Sequence, residues 1–145
     1  MPNWIQEGFI EYHRRLPVNI RPKLIEVPLT KRRKTTVKEN AVEKESEALF
    51  KKTQQDDCVI ALDVLGSKVS TDQVADFLTD WQLQSKNIYF LIGGPDGISP
   101  NYIRRAQFCW SLSEMTLPHS LVRIILLEQL YRAWSIRSSH PYHRA

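Results

Sequence analysis

At residues 88–97 the chain reads IYFLIGGPDG, an apolar run that passes directly into a glycine-rich turn. The apolar run has the length and composition of a buried strand. Because glycine has no side chain, the turn leaves bare backbone N–H and C=O groups at the carboxyl edge of a sheet, where open α/β folds bind their ligands. The stretch therefore predicts a strand followed by a cofactor site.

The sequence on either side predicts strands that alternate with helices. Cys58 to Leu62 is a second apolar run of strand length, and STDQ at residues 70–73 is typical of a capping box that begins a helix. Ser99-Pro100 predicts the start of another helix after the glycine turn. The apolar faces of these two helices are formed by Val74, Phe77, Leu78 and Trp81, and by Ile103, Ala106 and Trp110. Alternation of this kind predicts an α/β fold with a mostly parallel sheet and helices on both faces.

Further elements extend this prediction to a single domain over residues 1–145. An opening helix is expected behind Asn3 as its cap, and Pro17 ends it. Residues 24–27 and 115–117 have the composition of short strands, whereas KRRK at residues 31–34 predicts a loop. The faces of the remaining helices are formed by Ile5, Phe9, Tyr12 and Leu16; by Ala41, Val42, Ala48 and Leu49; and by Val122, Ile125, Leu126, Gln129, Leu130, Ala133 and Trp134.

Composition narrows the class of protein. The 145 residues are 42% hydrophobic and 25% charged, which suits one globular domain with a modest core. A net charge of +4 mildly favours a polyanionic partner. Cys58 and Cys109 lack CxxC spacing, so they predict buried free thiols in a reducing, cytoplasmic setting. The sequence predicts neither a membrane span nor a secretory signal.

Two segments after the predicted strands have both a functional and a plain interpretation. The glycine turn lacks the Gly-Lys-Ser/Thr of a P-loop and the spacing of a dinucleotide fingerprint, so alone it is equally typical of a tight turn. Residues 112–117 suit an irregular loop whose backbone binds an adenine edge, but a plain connecting loop fits them as well. The residues by themselves leave both alternatives open.

The C-terminal tail gathers basic and imidazole groups near the end of the last helix. Arg132, Arg137, His140, His143 and Arg144 fit contacts with RNA phosphates, and Tyr142 offers a face on which a base could stack. A solvated terminus is the alternative. The basic loop at residues 31–34 likewise either contacts phosphate or keeps the chain soluble. A metal site at the two tail histidines is disfavoured, because a proline lies between them and no thiolate or carboxylate is nearby.

Several of these motifs together resemble the RlmH (YbeA-like) family of SPOUT methyltransferases. They are Pro2-Asn3-Trp4, Leu62-Asp63, LIGGPDG at 91–97, SLSEMTLPH at 111–119, Leu121-Val122-Arg123, EQLYRA at 128–133 and HPYHR at 140–144. The resemblance implies a SPOUT fold with a C-terminal trefoil knot, a homodimer and S-adenosyl-L-methionine as methyl donor. It also implies N3 methylation of a pseudouridine in the 23S rRNA of the assembled 70S ribosome, with no membrane and no metal as partner.

The resemblance also implies which residues form the site. Donor contacts are expected at Leu62, Gly93, Leu112, Ser113, Glu114, Met115, Thr116 and Leu117. Leucines at 62 and 117 suit the apolar faces of an adenine ring. His143 and His119 are candidate bases for the N3 proton, with Tyr142 orienting the base ring and Arg132 and Arg144 holding phosphate. The tail is expected to complete the pocket of the partner subunit.

Family members open with a short apolar strand ahead of the Pro2-Asn3-Trp4 motif, and the chain lacks that strand. The resemblance thus implies either a sheet that is one strand short, with exposed edge amides, or a start placed too far downstream. Three other functions stay open at this stage. They are methylation of another RNA such as tRNA, ribosome binding without catalysis, and nucleotide binding by a generic α/β domain.

Overall fold

Five α-helices, one 3₁₀ turn and three strands make up the regular structure of the described residues, 2–84 and 86–144 of a computed structural model. In chain order they are α1 (Asn3–Arg15), a 3₁₀ turn (Val18–Ile20), α2 (Lys38–Phe50), β1 (Cys58–Lys68), α3 (Thr71–Gln84), β2 (Ile88–Ile92), α4 (Pro100–Ile103), β3 (Phe108–Ser111) and α5 (His119–Arg137). Met1, Ser85 and Ala145 lie outside the described residues. Within that part of the chain, none of the helices is both long enough and apolar enough to cross a membrane.

The chain divides into two compact units. One consists of Met1–Leu24, Val69–Ser85 and Ser120–Ala145, and the other of Ile25–Lys68 and Lys86–His119. The first unit therefore contains α1, α3 and nearly all of α5, whereas the second contains the sheet with α2 and α4.

The sheet has the strand order β2-β1-β3, and both pairings are parallel. Ala61 in the central strand lies between Leu91 of β2 and Cys109 of β3. These pairings confirm the predicted parallel sheet. Its strands run in the same direction because helical segments connect them. β1 continues to Lys68, six residues beyond the predicted end at Leu62, with an irregularity in its register between Leu62 and Ser67.

One face of this sheet is covered within its own unit. Val59, Ala61, Leu91 and Ile98 form a buried apolar cluster, against which side chains of α2 and α4 pack. Those side chains are Leu49, Phe50, Tyr102 and Ile103. The burial of this apolar surface is the main favourable contribution to the fold of this unit.

Both cysteines are free thiols, as predicted, and both are half-buried on strands of this sheet. Burial raises the thiol pKa of Cys58 and of Cys109 above its usual value. Both side chains therefore stay protonated near neutral pH and pack as small apolar groups.

The helices of the first unit follow the predicted patterns. α1 buries Ile5, and Leu16, the first residue after this helix, is equally buried. α3 begins with the predicted capping box, in which the Ser70 hydroxyl accepts from the Gln73 N–H at 3.1 Å and the Gln73 side chain accepts from the Ser70 N–H at 2.8 Å. The Thr71 hydroxyl reaches α5, where it donates to Gln129 Oε1 at 2.7 Å.

Two predictions at the N-terminal end are wrong. α1 already includes Asn3, so the cap position falls on Pro2, which offers no side-chain acceptor. Residues 24–27 are not a strand. Pro22 and Pro28 bracket them, and proline has no N–H to donate to a ladder. Leu24 and Ile25 accordingly remain 40% and 45% exposed.

Two predictions after the glycine turn are also wrong. The predicted helix ends at Ile103 instead of reaching Trp110, since Phe108–Ser111 pairs with β1 as β3. At this point pairing with the sheet prevails over the helical spacing of the apolar residues. The pairing begins at Gln107, whose N–H donates to the Val59 carbonyl at 3.0 Å. Residues 115–117 are loop, because the Met115 N–H donates to the Ser113 hydroxyl at 2.9 Å instead of to a neighbouring strand.

Candidate functional site

The parallel register brings the predicted donor-binding segments to one edge of the sheet. Leu62 of β1 lies between Ile92 of β2 and Trp110 of β3. Gly93 directly follows β2, and Leu112 directly follows β3. The two loops therefore leave the sheet on either side of Leu62, which is 9% exposed. This is the edge at which open α/β sheets bind ligands.

The glycine turn is compact, and its backbone is closely packed. The Gly97 N–H donates to the Gly94 carbonyl at 3.0 Å, and Gly97 has a φ of 80°, a conformation that favours glycine. A Cβ atom on Gly93 would lie 2.5 Å from the carbonyl carbon of Gly97. The turn thus keeps its shape only with a bare backbone at residue 93.

The loop at residues 112–117 is held by its own serines. The Ser111 hydroxyl donates to the Ser113 carbonyl at 2.8 Å, and the Ser113 hydroxyl accepts the Met115 N–H. Met115 is 74% exposed, and the Glu114 side chain forms an exposed ion pair with Lys68. Leu112, Ser113 and Leu117 are half-buried and Thr116 is exposed. The fixed backbone, more than these exposed side chains, is suited to reading the edge of a flat ring.

Sequence reasoning missed the side chains that hold the glycine turn from outside. Arg32, in the basic loop, donates from Nη2 to Asp96 Oδ2 at 3.0 Å and from Nη1 to Glu45 Oε2 at 2.6 Å. Glu45 on α2 is 4% exposed and also accepts the Thr30 N–H at 2.8 Å. The Arg32 hydrogen bonds hold the pKa of the Glu45 carboxyl below its usual value. Arg32 is therefore committed to carboxylates of its own chain.

This ion pair predicts a pH-dependent contribution to stability. A lowered pKa in the folded state means that the unfolded chain binds more protons, so the stabilisation is present at neutral pH and is lost as the pH falls below about 4.5. We expect Glu45→Gln to melt below wild type at pH 7, and the gap to close in acid, because a protonated Glu45 resembles glutamine. Thermal melts between about pH 3 and pH 7 measure this gap.

Glu47→Gln is the matched control on the same helix. Glu47 is 53% exposed and pairs only loosely with Lys51, at 3.5 Å. Such a surface pair contributes little, so this variant is expected to match wild type at every pH. A Glu45→Gln gap that stays constant across the pH range would contradict the prediction.

A second cluster lies at the end of α5, where the tail folds back on its own unit. Arg132 donates from Nε to Glu128 Oε1 at 2.9 Å, and the Tyr142 hydroxyl donates to the same oxygen at 3.0 Å. The Arg132 guanidinium carbon lies 4.9 Å from the centre of the Tyr142 ring. Tyr131 contacts that ring with centroids 4.6 Å apart. The structure therefore brings Arg132, Tyr142 and His143 together, around a carboxylate that sequence reasoning did not single out.

The protonation states in this cluster follow from its contacts. His143 Nδ1 is 3.2 Å from Arg132 Nη1. Because a guanidinium only donates, this contact is a hydrogen bond only if Nδ1 accepts, which places the ring proton on Nε2. Burial, together with hydrogen bonds to Tyr12 and Glu128, raises the pKa of Tyr142 well above its usual value. Tyr142 is thus a neutral hydrogen-bond donor near neutral pH.

The other two predicted catalytic residues are not part of this cluster of hydrogen bonds. His119 is half-buried and is the first residue of α5, whereas Arg144 is exposed beside His143. Among the described residues, no three His, Cys, Asp or Glu side chains are placed to hold a metal ion.

Comparison with known proteins identifies what the chain resembles. Residues 1–143 match the model of a family described as "Predicted SPOUT methyltransferase". The chain is 47% identical to the Ribosomal RNA large subunit methyltransferase H of Saccharophagus degradans, 46% to that of a Marinomonas species and 43% to that of Ectopseudomonas mendocina. Each match covers 99% of this chain and 93% of the relative.

Proposed function

The chain belongs to the SPOUT methyltransferase family, and from this premise we propose that it methylates RNA of the large ribosomal subunit. The family makes it a methyltransferase, and its relatives are named for large-subunit ribosomal RNA. The observation that carries the proposal is the convergence of Leu62, the glycine turn and the 112–117 loop at one sheet edge. The finer part of the proposal is the target, N3 of pseudouridine 1915 in the 23S rRNA of assembled ribosomes.

We propose S-adenosyl-L-methionine as the methyl donor, and the site fits it. The buried Leu62 and half-buried Leu117 offer apolar side chains of the kind that contact the faces of an adenine. The closely packed turn at Gly93 offers bare backbone, as does the loop held by Ser113. Such a donor supplies a methyl group on a positively charged sulfur, already activated for transfer. The protein has to align the acceptor, exclude water and accept a proton.

In the proposed reaction the N3 lone pair forms the new N–C bond while the S–C bond breaks and its electron pair stays on sulfur. The N3 proton passes to a base, for which His143 and His119 are the candidates. His143 Nδ1 already accepts from Arg132, so this nitrogen takes up a proton only when Arg132 turns to another acceptor. An RNA phosphate is such an acceptor, and we propose that substrate binding frees His143 in this way. Tyr142 would orient the base ring, and Arg144 would add a phosphate contact.

The proposal includes the architecture that the family implies. We propose a trefoil knot in the C-terminal half, a single family domain that spans both compact units, and a homodimer in which the tail completes the partner's pocket. The match over residues 1–143 supports the single domain, because it covers residues of both units. A cytoplasmic location would follow from a ribosomal substrate.

Transfer of a labelled methyl group from S-adenosylmethionine to ribosomes that lack the modification tests the proposed function. We expect label on N3 of pseudouridine 1915, identified by mass spectrometry after digestion. Free 23S rRNA and tRNA serve as matched substrates, and we expect neither to be labelled efficiently. Label on tRNA alone would contradict the ribosomal target, and ribosome binding without label would contradict catalysis.

A further inference from the structure

We infer that Arg32 is a positioning residue for the methyl donor, because it ties the Gly93–Gly97 turn to α2. The inference rests on the proposed function, since it concerns the turn at which the donor is proposed to bind. Arg32 lies 64 residues before Asp96, in the basic loop at residues 31–34, for which the sequence predicts either phosphate contact or a role in solubility. The structure assigns it neither role.

Every N–H group of the Arg32 guanidinium donates a hydrogen bond in this connection. It donates from Nη1 and Nη2 to the two oxygens of Glu45 at 2.6 and 3.0 Å, and from Nε and Nη2 to Asp96 Oδ2 at 3.1 and 3.0 Å. Nη1 also donates to the Thr30 carbonyl at 2.6 Å. Lys38 adds a longer ion pair with Asp96, at 3.7 Å. A planar donor with several N–H groups is needed to join two carboxylates in this way, and lysine cannot replace it.

The connection has a rigid end and an end at the proposed site. Glu45 is 4% exposed and is fixed on α2, whereas Asp96 belongs to the glycine turn and its side chain is 26% exposed. Exposed ion pairs contribute little to stability. The buried Glu45 carboxylate, by contrast, is held in one position by its paired hydrogen bonds to Arg32. Arg32 therefore fixes the position of Asp96 relative to α2.

α2 also holds the far end of the turn. The Ser99 N–H donates to the buried Ser46 hydroxyl at 2.8 Å, and the Ser99 hydroxyl donates to Glu43. Asp96 and Ser99 are thus tied to the same helix on the two sides of Gly97. A turn fixed in this manner loses less conformational entropy when a ligand binds, so the ties contribute to donor affinity without contacting the donor.

The test compares Arg32→Gln with Arg33→Gln by calorimetric titration with S-adenosylmethionine. Arg33 is exposed, and its side chain has no ion-pair partner among the described residues. We expect Arg32→Gln to weaken donor binding about tenfold or more, as expected for the loss of charged hydrogen bonds, and Arg33→Gln to match wild type. At saturating donor, the methyl-transfer rate of Arg32→Gln should return to within about twofold of wild type, because only donor binding is affected.

Asp96→Asn provides a second variant. It keeps the Arg32–Glu45 pair, so the buried Glu45 carboxylate does not lose its partner. If Arg32 acts through Asp96, the double variant Arg32→Gln, Asp96→Asn binds the donor no more weakly than Arg32→Gln alone. Losses that add in the double variant, or equal binding by Arg32→Gln and wild type, would overturn the inference while leaving the proposed function intact. A wild-type protein that does not bind the donor would overturn both.

Discussion

Gly93→Val is expected to abolish donor binding, with an affinity loss of at least about a hundredfold, equivalent to about 2.7 kcal/mol. A Cβ at this position would lie 2.5, 2.8 and 2.9 Å from three backbone atoms of Gly97. Backbone cannot rotate away as a side chain end does, so the turn itself has to open. The sequence alone predicts this loss from a blocked ligand approach, whereas the structure shows that the turn is disrupted first. Titration of the purified variant with S-adenosylmethionine measures the effect.

Gly94→Ala is the matched control. Its Cβ would lie 2.7 Å from Leu29 Cδ2, the end of a side chain that is 51% exposed and free to move aside. We expect this variant to bind the donor within a few-fold of wild type, because overpacking against a mobile side chain is readily relieved. Retained affinity in Gly93→Val, with the melting temperature unchanged, would refute the assignment of the donor site to this turn.

Arg132→Met is expected to reduce methyl transfer by about a hundredfold while leaving donor affinity unchanged, because it removes the proposed phosphate contact that brings the RNA to His143. A hundredfold is the low end of what a positioned acid–base group contributes. The substitution removes the hydrogen bonds to Glu128 and His143 and the contact with the Tyr142 ring. Tyr142 and His143 would then lose their common partner on α5. Single-turnover rates at saturating donor, on ribosomes that lack the modification, measure this effect separately from binding.

Arg137→Met on the same helix controls for charge. Arg137 contacts Asp76 and the Ala75 carbonyl of α3 and makes no hydrogen bond to the described tail residues. The Arg137→Met variant removes one positive charge, as Arg132→Met does, but leaves the contacts around Glu128 in place. We therefore expect its rate to be near that of wild type. Equal losses in the two variants would show that net charge, and not the arrangement around Glu128, accounts for the effect.

Local sequence signals were sufficient for much of the framework. The strand at Ile88–Ile92, the capping box at Ser70 and the Ser99-Pro100 helix start all appear where the residues predict them. Each depends on contacts over a few residues: an apolar run, a reciprocal pair of side chains, or a proline at the first turn. The parallel sheet followed because alternating strands and helices connect in few ways.

The errors occurred where long-range pairing prevailed over local pattern. Residues 108–111 have helical spacing with Ile103, yet β1 recruits them as a strand. Residues 24–27 have strand composition, but prolines flank them on both sides. In both segments the outcome depended on which backbone groups found a partner, and the local residues do not specify that partner.

By itself, the sequence determined an α/β chain with a parallel sheet, a glycine turn after a buried strand, and a resemblance that the family match confirmed. Only the tertiary structure decided which side chains support the turn and the tail. Arg32 meets Asp96 across 64 residues, and Tyr142 meets Glu128 across 14. Contacts of this kind depend on the register of the sheet and on how the tail returns along its helix, and no local spacing in the chain encodes them.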